Sequence, residues 1–165
     1  MAHAVFIIEN IILPDISPSG IDNINFLFSA NKSIPAQALE KVASGGEFSR
    51  LMLAIKSIVA TASGIPTIIF DEIDTGVSGE IANKMGKIMD KISSNCQVIS
   101  ITHLPQVAAL GHCHYKVVKL VNATETKTNI TELSKDERIN EIASMISGEK
   151  LTVQAIENAK TLLNR

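Results

Sequence analysis

The chain has no tryptophan, one tyrosine and five phenylalanines, so aromatics make up only 4% of its 165 residues. A core without large rings must be aliphatic, filled by Ile, Leu, Val, Ala and Met. Cysteine is almost as scarce. Cys96 and Cys113 form no Cys-x-x-Cys pair, which argues against a disulfide scaffold and fits a reducing, cytoplasmic compartment. Neither sign of charge is in large surplus. Fifteen Lys and Arg against 17 Asp and Glu leave a net charge of -2, far from the basic excess of a stand-alone nucleic-acid binder. No apolar run approaches the roughly 20 residues of a membrane span, and the first residues lack the charged-then-apolar pattern of a secretion signal. A phosphate loop of the form Gly-x-x-x-x-Gly-Lys-[Ser/Thr] is missing too. Gly86-Lys87 is followed by Ile88 within an amphipathic helical run and cannot cradle phosphate.

What is present is a globular balance, 45% hydrophobic and 19% charged, on a chain long enough for one domain. Residues 5–13 and 24–29 read as strands, with Pro14, Pro18 and Gly20 between them and a polar connector over 30–43. A helix follows Gly46, with Leu51, Met52, Ile55, Ile58, Val59 and Ala62 on one face, and ends at Gly64 and Pro66. Thr67–Phe70 and Val98–Ile101 are apolar runs expected to be strands buried on both faces. Between them, residues 80–92 form an amphipathic helix. Ile81, Met85, Ile88, Met89 and Ile92 are expected inward, and Lys84, Lys87, Asp90 and Lys91 outward. Strand, helix, strand at this spacing is a βαβ unit with parallel strands. A short helix near 105–110, a hairpin of 115–121 with 128–133, and helices near 136–147 and 152–163 complete the chain.

Four short segments carry chemistry. Ser44-Gly45-Gly46-Glu47 opens a helix, where backbone N–H groups, the helix dipole and a hydroxyl can meet an anion; an ordinary N-cap with a glycine turn reads the same way. Asp71-Glu72 ends an apolar strand, the place where open α/β sheets bind ligands. Asp71 there can hold Mg²⁺, and Glu72 can orient or deprotonate a water. Asp74-Thr75-Gly76-Val77-Ser78-Gly79 is a small polar loop before the next helix. Thr102-His103 ends the second apolar strand, at the same sheet edge, where an imidazole can donate to a phosphate oxygen.

Together, in this order, these segments resemble the distal half of an ATP-binding-cassette ATPase head. Ser44–Glu47 resembles the signature motif, Thr67–Asp71 the Walker B strand, Glu72 the catalytic glutamate, Asp74–Gly79 the D-loop and His103 the switch histidine. The longer runs Phe26–Asn31, Ala43–Arg50, Phe70–Gly79 and Ile101–Ala109 are similar to the RecN family, SMC-like bacterial repair proteins, and the likeness covers residue 5 to about 150. Phe48, where many relatives carry Leu, and His112, where an acid is common, are small departures.

The resemblance implies an α/β fold, the Walker B half of a P-loop head, with residues 1–165 as the C-terminal part of one head domain. The P-loop and coiled coil are then expected before residue 1. It implies ATP and Mg²⁺ as cofactors, a second head as partner in a homodimer, DNA contact through the complete protein, and no membrane. Asp71, Glu72 and His103 are expected to serve the nucleotide of their own head. Ser44, Gly45, Gly46 and Asp74 are expected to serve the nucleotide of the other head, and Glu47 is counted with the nucleotide-binding residues. The implied role is ATP-dependent double-strand-break repair and recombination in the bacterial cytoplasm, at the nucleoid, with this chain inactive alone for want of the P-loop. The alternatives are another SMC-like or cassette ATPase, or a head that dimerises without hydrolysis. His112-Cys113-His114 with Cys96 lacks zinc-like ligand spacing and is not read as a metal site.

Overall fold

The computed structural model describes residues 3–41, 45–121, 125–148 and 150–164. The chain gathers into two compact units, Met1–Met52 and Leu53–Arg165.

The first unit is built on a long antiparallel hairpin. β1 (Val5–Ser17) runs against β2 (Gly20–Ser29), and β3 (Gln37–Ala38) adds a short third strand to β2. Both long strands exceed their sequence-based limits. β1 carries Pro14, which cannot donate to a ladder, and it does so within an irregularity: the register runs from Val5↔Ser29 to Ile12↔Asp22, then breaks before Ser17↔Gly20. The residues 30–43 expected as plain connector contain β3 and a 3₁₀ turn at Leu39–Lys41. On one face of the hairpin Phe6 and Phe26 stack with ring centroids 5.9 Å apart.

α1 (Gly45–Ser63) begins in the first unit and continues into the second. The second unit then has β4 (Thr67–Asp71), α2 (Gly79–Ser93), β5 (Gln97–Ile101) and α3 (Pro105–Ala108), with β4 and β5 parallel and paired from Thr67↔Gln97 to Asp71↔Ile101. The hairpin β6 (Tyr115–Val121) and β7 (Thr126–Glu132) and the helices α4 (Lys135–Ser147) and α5 (Val153–Leu163) follow. Phe70 is the centre of the core, fully buried with Leu53 and Ala60 of α1, Ala82, Met85, Met89 and Ile92 of α2, and Val77 and Val107. A second cluster of Ala109, Ile142, Ala143, Ala155 and Ala159 joins α4 to α5, where alanines let two helices approach closely.

Three burial expectations need correction. β4 and β5 are not covered on both faces: Ile68, Phe70 and Val98 turn to the core, whereas Ile69, Ile99 and Ile101 stand 56%, 42% and 51% exposed. Two paired strands with helix α2 against one face alternate, whatever their composition. In α1 the buried positions within the second unit are Leu53 and Ala60, with Ile58 and Val59 outward. That helix is apolar around most of its circumference, so periodicity could not choose the face. In α2 the seam is Ala82, Met85, Gly86, Met89 and Ile92; Ile81 and Ile88 lie at its exposed margin. Gly86 is where α2 meets the segment after α3: a Cβ there would lie 2.6 Å from the Leu110 side chain. No helix among the described residues is long and apolar enough to cross a membrane.

Candidate functional site

Five residues meet where β4 and β5 end: Asp71, Glu72, Asp74, Thr102 and His103. Both strands finish on one line, because Asp71 pairs with Ile101, and the next residue extends the pairing: the Glu72 N–H donates to the Ile101 carbonyl at 3.1 Å. Glu72 has φ +46°, the only non-glycine residue with positive φ among those described. Such a conformation costs a side-chain-bearing residue on the order of 1 kcal/mol and marks functional sites more often than chance. Here it is held by its neighbours. The Glu72 carbonyl accepts from the Thr75 N–H at 3.1 Å and from the Thr75 hydroxyl at 2.9 Å. Val77, buried in the core, anchors the far side of the turn with its N–H on the Asp74 carbonyl.

Asp71 and Glu72 are exposed, and neither carboxylate is engaged by another described side chain. Their oxygens are free for a hard cation or a water. Among the described residues no cluster of three or more His, Cys, Asp or Glu could enclose a metal. A cation at this edge would need oxygens from substrate and water to complete its coordination, the manner in which Mg²⁺ is usually bound.

Asp74 is the opposite case, 1% exposed. Its Oδ2 accepts the Thr102 hydroxyl, whose oxygen in turn accepts the Leu104 N–H at 3.0 Å. Leu104 then caps α3: its carbonyl receives the Val107 and Ala108 N–H groups, and Pro105 sits at the first turn, where its missing N–H costs nothing. Thr102 therefore ties the loop after β4 to the loop after β5. His103, between them, has its side chain 63% exposed, with Nδ1 3.9 Å from Asp74 Oδ1.

A second tie holds the far end of α3. Arg138 of α4 donates through its guanidinium to the carbonyls of Ala109 (2.9 Å), Ala108 (3.4 Å), His112 (3.3 Å) and Gly111. Burial lowers its pKa from the usual guanidinium range. Neither Thr102 as a tether nor Arg138 was legible as such in the sequence: a threonine before a histidine and an arginine in an amphipathic helix have no local pattern that names their partners. Residues 112–114 form the loop before β6; Cys96 is buried between α2 and β5, and Cys113 is exposed.

Of the remaining expected site residues, Gly45, Gly46 and Glu47 open α1 in the first unit, with Gly46 buried; Ser44 lies outside the described residues. Gly86-Lys87 falls inside α2, with Gly86 buried.

No family model matches the sequence. Curated proteins do. The chain is 42% identical over 165 residues to the DNA repair protein RecN of Haemophilus influenzae, covering 99% of the chain and 30% of that protein. It is 45% identical over 150 residues to RecN of Bacillus subtilis, covering 91% and 26%, and 46% over 164 residues to RecN of Rickettsia conorii, covering 99% and 30%. This is a RecN-type sequence. It spans between a quarter and a third of the length of those relatives. The fold of the RecN-type chain is that of SMC heads. It matches the Smc head domain with a coiled coil and joint from Pyrococcus yayanosii at TM-score 0.64 and 18% identity, covering 87% of this chain and 26% of that one. It also matches, at TM-score 0.58 and 17% identity, an SMC ATPase chain from work on ATP-driven dimerization and DNA-stimulated activation, covering 87% and 84%.

Proposed function

We propose that this chain is the distal segment of an ATPase head in a RecN-like protein that acts in ATP-dependent DNA double-strand-break repair and recombination. The observation that carries the proposal is the left-handed Glu72 directly after Asp71, at the end of a parallel strand whose partner strand leads into His103, in a RecN-type sequence. Glu72 serves as the general base for an attacking water. Asp71 would hold Mg²⁺, which when bound would supply electrostatic stabilisation of phosphate charge. His103 contacts the phosphate or the water of the same nucleotide. Ser44, together with Gly45 and Gly46 at the start of α1, faces the nucleotide of a second head, so ATP joins two heads. The P-loop that holds the phosphates comes from another part of the complete protein, and this chain alone is inactive. Opening and closing of the paired heads then governs DNA engagement in the cytoplasm, at the nucleoid.

The test uses the complete protein. Glu72→Gln keeps shape and hydrogen bonding but cannot take a proton. ATP binding should persist while hydrolysis falls on the order of 10²–10⁴-fold. Unchanged turnover would overturn the assignment of the base, and loss of ATP binding would show that Glu72 holds nucleotide instead.

A further inference from the structure

Asp74 carries a carboxylate that is only half satisfied. Oδ2 accepts the Thr102 hydroxyl, whereas Oδ1 has no hydrogen-bond partner among the described residues, on a side chain 1% exposed. A buried carboxylate oxygen without a donor is costly, and native proteins rarely leave one so. Bulk water does not reach it. The atom facing it is Nδ1 of His103, 3.9 Å away. That distance is too long for a hydrogen bond, but a small movement of an exposed imidazole closes it, and catalytic contacts commonly tighten only when a site is loaded. The Thr102 hydroxyl holds the carboxylate in place for this, because its hydrogen is given to Oδ2 and its oxygen is taken by Leu104.

We propose that Asp74 is a positioning residue for His103 of its own chain. A carboxylate only accepts, so the imidazole must present Nδ1–H to Oδ1. This fixes the tautomer and leaves Nε2 as the outward, ligand-facing atom. The resemblance had offered Asp74 to the nucleotide of another head. That role requires Asp74 to leave its burial and release Thr102, whereas the pairing with His103 needs neither. Under the ATPase reading above, on which this consequence alone rests, neutral His103 offers Nε2 as an acceptor to water. It donates to a phosphate oxygen only as the imidazolium.

Long-range ¹H–¹⁵N correlation of the imidazoles in this 165-residue chain reads the tautomer directly. The spectrum is recorded about two pH units above the ordinary imidazole value of about 6.5. His103 is assigned by loss of its signals in His103→Gln, and exposed His112 is the internal reference. We expect His103 in the Nδ1–H form, against a mixture dominated by Nε2–H at His112. In Asp74→Asn, the carbonyl oxygen keeps the Thr102 hydroxyl and the amide faces His103. The imidazole must then accept, and the signal should switch to Nε2–H. A wild-type His103 with the same tautomer mixture as His112 overturns the proposal, and so does an Asn variant that stays Nδ1–H. If the Asn variant fails to fold, the wild-type spectrum still decides. No nucleotide is present, so an inactive head refutes the ATPase reading without touching this one.

Discussion

The Thr102 hydroxyl donates to the buried Asp74 carboxylate across the ends of two parallel strands, joining residues 28 apart in sequence. Each strand end carries one half of the candidate site, Asp71-Glu72 on β4 and His103 after β5, and this bond adds a side-chain link between the following loops to the backbone pairing of Asp71 with Ile101. Removing it should be felt in the whole unit. Thr102→Val leaves a buried carboxylate with neither oxygen satisfied, and the cost of such a loss is about 2 kcal/mol or somewhat more. Thr102→Ser, which retains the hydroxyl, should cost much less. Urea denaturation of both variants checks this; equal losses would mean that the methyl group, not the hydrogen bond, carries the stability.

Glu72 should behave differently from an ordinary surface acid. Its side chain has no described partner, but its backbone sits at φ +46°. Glycine adopts that conformation freely, while adding freedom to the unfolded chain. The balance for Glu72→Gly is between zero and about 1 kcal/mol of added stability. In the complete protein the same change removes the proposed base. A variant that is at least as stable yet inactive would identify the left-handed turn as strain kept for function. A clear loss of stability would show instead that the carboxylate is structural.

Acid should weaken the fold through His114. Burial pushes its imidazole below the ordinary value, and neighbouring Arg138 adds to this. Above about pH 6.5 the imidazole is neutral in both states and has no effect. As pH falls below that value, the unfolded chain takes up a proton that the folded chain holds off, so stability declines. His114→Gln should flatten the dependence of the urea midpoint between about pH 7 and 5. An unchanged slope would place the acid sensitivity elsewhere.

Paired heads can be tested by counting broken sites. In the complete protein, Glu72→Gln removes the proposed base of its own head, and Ser44→Arg blocks the surface proposed to meet the other. Either homodimer has two broken sites. A mixed dimer concentrates both lesions in one site and leaves the other intact, so ATPase activity should return in part. Subunit exchange without any return would show that both residues serve the same head.

Residue pattern alone was enough to place most helices and strands, because Gly64-Ile65-Pro66, Gly148 and the apolar runs at 67–70 and 98–101 are local signals acting within a few residues. It also placed Asp71, Glu72 and His103 at one sheet edge, since parallel strands joined by a helix end together. Other features depended on what the chain packs against. Ile69, Ile99 and Ile101 stand open because, among the described residues, the helices pack on the Phe70 face of a two-stranded sheet, and no composition reveals which face that is. The inward face of α1 was settled by Phe70, around which Leu53 and Ala60 pack. Asp74 reads in sequence as one more polar loop residue. Its burial, its bond to Thr102 and its approach to His103 arise only when two loops far apart along the chain are brought to the same end of β4 and β5.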